Sequence, residues 1–122
     1  MKKIAVLVLI AILSLGVLTA CGGGGETKKL EVLMGENNEF KYNPNTLPVK
    51  KGENVEVTLV NKDTAQAHTF IIKDLNVKSG QVQPGKSETV KFKATKTGEF
   101  ETVCDVAGHK EGGMVGKITV TE

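Results

Sequence analysis

Beyond residue 29 the apolar positions of this chain recur at every second residue in short runs, and polar turn clusters separate the runs. Leu30-Glu31-Val32-Leu33-Met34 opens the series. Phe40 to Pro48 is irregular, interrupted by Pro44 and Pro48, and Leu47 to Lys51 leads into the turn Lys51-Gly52-Glu53-Asn54. Val55, Val57 and Leu59 then alternate with Glu56, Thr58 and Val60, the period of a half-buried strand. Asn61-Lys62-Asp63-Thr64 is a turn cluster, and Ala67 to Asp74 reads as the next strand, with His68, Phe70 and Ile72 inward. Asn76 to Gly85 is loop-like, punctuated by Ser79-Gly80 and Pro84-Gly85. Val90, Phe92 and Ala94 mark another strand, and Phe100, Thr102 and Cys104 one more. Val115 to Thr121 closes the chain, with Ile118 and Val120 in step with Met114. No segment after residue 25 keeps a helical period for more than about two turns. About seven to eight short strands with turns between them predict an all-β fold, an antiparallel sandwich.

The first 20 residues follow a different rule. Lys2 and Lys3 precede an unbroken apolar run, Ile4 to Leu13, continued by Leu15 to Ala20, which is the pattern of an export signal. It ends in Leu18-Thr19-Ala20-Cys21, which resembles the lipobox of bacterial lipoproteins. That resemblance implies cleavage before Cys21 and a diacylglycerol on its thiol, tethering the protein to the outer side of a membrane. Residues 21–29, with Gly22 to Gly25, form the expected flexible linker, with a reach of roughly 16 Å. A single domain is then expected over residues 30–122.

Charge narrows the function classes. Lysine supplies all the positive charge, and without Lys2 and Lys3 there remain 14 Lys against 14 Asp plus Glu. A near-neutral domain without arginine lacks the basic face of a nucleic-acid binder. Cys21 and Cys104 are the two cysteines, and each has a local role, which disfavours a disulfide between them.

The chemistry concentrates in Cys104-Asp105-Val106-Ala107-Gly108-His109-Lys110-Glu111-Gly112-Gly113-Met114, where four residues separate each candidate ligand from the next. Gly112 and Gly113 let the chain curl back. A thiolate, an imidazole and a weak thioether together suit copper. The remaining histidine, His68, lies 36 residues before Cys104 and supplies the second imidazole. By strand parity His68, Cys104 and Met114 all point to the core side, each at a strand end. The expectation is a metal site capping one end of the sandwich, with His109 reaching it from the loop and keeping one edge near solvent. Zinc would accept His68, Cys104 and His109 but prefers a fourth ligand harder than a thioether. A copper enzyme would need further histidines, and both are committed.

From Leu30 to Glu122 these residues closely resemble the cupredoxins, the small blue copper proteins. The likeness is strongest in Cys104-x4-His109-x4-Met114 followed by Val115-Gly116-Lys117-Ile118-Thr119-Val120, and extends to Ala67-His68-Thr69-Phe70 and Pro48 to Val55. It implies a Greek-key sandwich and one type 1 copper ion held by His68, Cys104, His109 and Met114. It also implies one-electron transfer between redox proteins of the membrane or cell envelope, by a protein expected to act as a monomer. A copper-binding or delivery protein without redox cycling is the alternative. Two departures are visible. Thr69 stands where many relatives have Asn, and Ala107 where many have Pro. The extra amide of Ala107, with that of Val106, is expected near the Cys104 sulfur, stabilising the reduced site.

Overall fold

The computed structural model describes residues 27–122, so the signal segment and the Cys21 lipidation site lie outside the described residues. Nine strands follow in chain order: β1 (Thr27–Met34), β2 (Tyr42–Asn43), β3 (Thr46–Lys50), β4 (Asn54–Asn61), β5 (Ile71–Ile72), β6 (Val77–Lys78), β7 (Ser87–Lys93), β8 (Gly98–Val103) and β9 (Val115–Thr121). They form two sheets, β2-β1-β4-β7 and β3-β9-β8-β5-β6. This is the expected all-β sandwich. No helix among the described residues is long and apolar enough to cross a membrane.

Period-two patterning produces the core. In β4 the alternation puts Val55, Val57 and Leu59 inside, and in β9 it puts Ile118 and Val120 inside. Val32 and Met34 from β1 and Leu47 and Val49 from β3 belong to the same buried cluster. Each such side chain contributes about 1.5–3 kcal/mol on full burial, more than β-propensity alone supplies.

Each sheet also contains a parallel ladder. β1 pairs parallel with β4, from Thr27↔Asn54 to Met34↔Asn61, and β3 with β9, from Thr46↔Lys117 to Lys50↔Thr121. Parallel neighbours need a long crossover rather than a hairpin. Here the chain leaves the first sheet after β2, contributes β3 to the second, and returns as β4. Face alternation is the same for either strand direction, so the sequence pattern does not carry this information. Pro48 is accommodated because β3 is an edge strand.

Three local expectations differ from the structure. Thr27 to Lys29, assigned to the linker, are strand, because their backbone joins the β4 ladder whatever their side chains. The strand expected over Ala67 to Asp74 shrinks to Ile71–Ile72, followed by a 3-10 turn at Lys73–Leu75. His68 keeps a single antiparallel bridge, to Val82. The segment read as a loop therefore holds β6 and the partner of His68, since buried backbone polar groups must be paired wherever they run.

The parallel ladder decides where chemistry can assemble. Because β1 and β4 run the same way, the segments that follow them, from Gly35 and from Lys62, emerge at one end of the sandwich. Cys104 follows β8 and Met114 precedes β9, its hairpin partner, so both reach an end of the second sheet together.

Candidate metal centre

His68, Cys104 and His109 bring one donor atom each within 4.8 Å of one another. His68 Nδ1 lies 3.1 Å from His109 Nδ1, and Cys104 Sγ lies 3.5 Å from His109 Nδ1. All three residues are buried, as is Met114. Cys104 is a free thiol. Met114 is stitched to both neighbours through its backbone: its N–H donates to His109 O at 3.0 Å, and its carbonyl accepts the Cys104 N–H at 3.3 Å. Parity thus places His68, Cys104 and Met114 on the core side as expected.

His109 departs from expectation. The sequence predicts one edge of its ring near solvent, yet it is only 2% exposed. The Phe40 ring stacks on it, with centroids 4.3 Å apart and planes at 21°. Gly112 makes room for that ring, because a Cβ there would overlap Phe40. The outer nitrogen of His109, Nε2, is capped by Gln66 Oε1 at 2.8 Å. Phe40 lies in a stretch with no readable period and Gln66 beside a turn cluster, so neither announces itself in the sequence.

His68 is held in the same manner. Its Nε2 meets Asp63 Oδ2 at 3.0 Å. The other carboxylate oxygen accepts the amides of Ala65 at 2.8 Å and Gln66 at 3.0 Å, so one turn carries both Asp63 and Gln66. Asn61 secures that turn: its amide donates to Gln66 O and Val82 O, and its Oδ1 accepts the Asp63 N–H. Gly35, at φ 70°, closes the back of the pair; a Cβ there would sit 2.5 Å from His68 Nε2.

Around the sulfur, Thr69 N–H donates to Cys104 Sγ at 3.4 Å, and the Thr69 hydroxyl lies 3.6 Å from it. The same hydroxyl donates to Asp105 Oδ1 at 2.8 Å and accepts the Asp105 N–H at 2.9 Å. Thr69 therefore ties the His68 segment to the cysteine loop. Of the two amides expected at the sulfur, that of Val106 helps to hold the Cys104 thiol down. The Ala107 amide makes no hydrogen bond among the described residues, because the loop turns there to bond His109 N–H to Val106 O.

The electrostatics suit a cation at the meeting point of these donors. Burial pushes the Cys104 thiol up, but His68, the Thr69 amide and hydroxyl and the Val106 amide outweigh it and leave the thiol below its usual range. Burial pushes His68 down, but Cys104 and Asp63 beside it reverse this and hold it above the ordinary value. His109 is lowered by burial and by the charge of His68. Donation of both outer ring protons, to Asp63 and Gln66, turns two Nδ1 lone pairs and a sulfur toward one another. That arrangement is repulsive unless a proton or a metal ion stands among them. Donors bonded to one ion at about 2.0–2.3 Å lie roughly 3–4 Å apart, and the observed separations of 3.1 and 3.5 Å meet that spacing. The donor set, two imidazoles and a thiolate with a thioether held beside them in the chain, fits copper better than a harder ion.

Comparison with known proteins points the same way. The cupredoxin-like domain family matches residues 5–120. A copper-resistant cuproprotein, CopI, of Rubrivivax gelatinosus is 26% identical, over 84% of this chain and 74% of its own. Reduced auracyanin from Roseiflexus castenholzii superposes with a TM-score of 0.72 at 25% identity, covering 80% of this chain and all (100%) of that one. Auracyanin A of Chloroflexus aurantiacus, a "blue" copper protein, has the same fold, with a TM-score of 0.71 at 19% identity over 79% of this chain and 100% of its own. The chain belongs to the cupredoxin-like family, and its cofactor is a single type 1 copper ion.

Proposed function

We propose that this is a membrane-tethered blue copper protein that carries single electrons between redox partners of the cell envelope, with His68, Cys104, His109 and Met114 as its ligands. The observation that supports it most is the convergence of three buried donors whose other contacts are already satisfied within the protein. Copper bound there would exchange one electron between Cu(II) and Cu(I), a couple that soft sulfur and imidazole ligands accommodate in both states.

The surrounding residues act by holding still. Asp63 and Gln66 fix the planes of the two imidazoles, and Thr69 fixes the sulfur, so little rearranges when charge changes. Burial excludes water from the thiolate and protects it from oxidation. Phe40 and Gln66 stand between His109 and solvent, so a partner meets them rather than the bare imidazole. Beside them Ala107, Gly108, Gly112, Gly113 and Val115 are exposed and uncharged. Lys110 is neutralised by Glu101 at 3.2 Å. A weakly charged patch of this kind suits brief encounters. Lipid on Cys21 would keep the domain in the plane of its partners. Replacing Cys21 by Ala should release the protein from membranes.

A second reading, copper binding or delivery without redox cycling, draws on the name of the Rubrivivax relative. The electron self-exchange rate and the copper off-rate of the reduced protein separate the two. Fast self-exchange with slow copper release supports the carrier; the reverse supports copper handling.

A further inference from the structure

We propose that Asp63 is a positioning residue of the metal centre: its carboxylate, held on the outer nitrogen of His68, fixes the ring with its Nδ1 lone pair toward Cys104 and His109 and biases the bound metal toward its oxidised state. The inference rests on His68 being a ligand.

Three observations carry it. First, Asp63 is 2% exposed, in a place where an ionised carboxylate is costly unless every lone pair has a task. Second, its two oxygens do different work. Oδ1 accepts the Ala65 and Gln66 amides, and Oδ2 faces His68 Nε2. Only a carboxylate offers two acceptor oxygens. Because Oδ2 can only accept, the ring proton must sit on Nε2, which frees Nδ1 for a metal. Third, the pair is locked from behind. Asn61 holds the Asp63 amide at 2.9 Å, and the backbone at Gly35 lies so close that a Cβ there would come within 2.7 Å of Asp63 Cβ. The His109 ring has the same arrangement with a neutral partner, Gln66. The turn thus places its one buried negative charge on one ligand only. Such a charge stabilises the more positive metal state, and outer partners of ligating histidines also raise their basicity.

Asp63→Asn tests both parts. Asparagine has one oxygen, so either the two turn amides or the His68 N–H would face an NH2 group. The ring can escape the second conflict only by moving its proton to Nδ1, into the metal site. Cu(II) affinity of the variant should fall about 10–100-fold, the usual cost of losing such a partner. Cu(I) affinity should fall about tenfold less, because the lost charge matters less to the less positive ion. A tenfold difference raises the one-electron reduction potential by about 59 mV. Unchanged copper affinities and potential would overturn the proposal, even with a loss of thermal stability, since Asp63 would then be only a turn residue.

If Asp63→Asn does not fold, the unmodified metal-free protein decides by itself. At alkaline pH, where the ring is neutral, long-range proton–nitrogen NMR should find the His68 proton on Nε2; a proton on Nδ1 overturns the assignment. This measurement needs no copper. Absence of a thiolate-to-copper band in the unmodified protein would count against the copper reading, while the tautomer would still judge the role of Asp63.

Discussion

Asn61→Ala should be strongly destabilising, and its cost can be worked from its partners. Asn61 is 1% exposed. Its amide donates to Gln66 O and Val82 O, both at 2.8 Å, and its Oδ1 accepts the Asp63 N–H at 2.9 Å. Val82 O also accepts the His68 N–H at 3.1 Å, so it keeps a partner after truncation. The Asp63 N–H and Gln66 O do not. A buried polar group left unpaired costs about 1–3 kcal/mol. The Asp63 amide is fully buried and the Gln66 carbonyl only partly, which gives a total of about 3 kcal/mol. For a domain of this size each kcal/mol moves the melting temperature by about 4–8 °C, so the midpoint should drop by about 12–24 °C. Urea unfolding of the metal-free protein, with the m-value checked for constancy, measures the free energy directly. Because Asn61 secures the turn that holds both imidazoles, copper affinity should fall as well. A loss below about 1 kcal/mol would show that the turn is held by something other than Asn61.

Three further outcomes are expected. Phe40→Ala should cost roughly 1.5–2.5 kcal/mol, half the loss for a fully buried phenylalanine. It should also speed electron self-exchange by uncovering His109; slower exchange would mean that the ring helps rather than screens transfer. Gly35→Ala forces a Cβ to 2.5 Å from His68 Nε2 at a positive φ, so it should weaken copper binding and cost at least about 1–2 kcal/mol from the backbone alone; a variant with unchanged affinity and stability would contradict the packing. Tyr42 is the single tyrosine of the chain, and burial, then the nearby Cys104 and Asp105, push its phenol far above the ordinary value of 10.0. A folded-state value above the unfolded one gives stability that is complete below about pH 10 and is lost as pH rises beyond it. Phenolate absorbance should therefore appear only with unfolding, and in Tyr42→Phe this alkaline loss should shrink; a phenol that titrates near pH 10.0 in the folded protein would refute its burial.

Side-chain parity was legible in the sequence because it depends only on neighbours two residues apart. That is why His68, Cys104 and Met114 could be assigned to the core side before any strand was paired. Strand direction was not legible, since Val55, Val57 and Leu59 alternate identically in a parallel or an antiparallel ladder. The parallel pairing of β1 with β4 is what brings Gly35 and Asp63 to His68, so the outer partners of the imidazoles were hidden with it. The burial of His109 was missed for a related reason. Phe40, which covers it, lies 69 residues away in the chain. Only the absent side chain of Gly112 leaves room for it, and in the sequence that glycine signals no more than a place where the chain can curl back.

The central claim is that His68, Cys104, His109 and Met114 hold one copper ion through the buried sulfur. The most direct measurement is the visible spectrum of the purified protein with one equivalent of Cu(II), beside the same titration of Cys104→Ser. An intense thiolate-to-copper band, saturating at one ion per chain and lost in the variant, is the predicted result. A colourless wild-type complex, or a band that survives in Cys104→Ser, would contradict it.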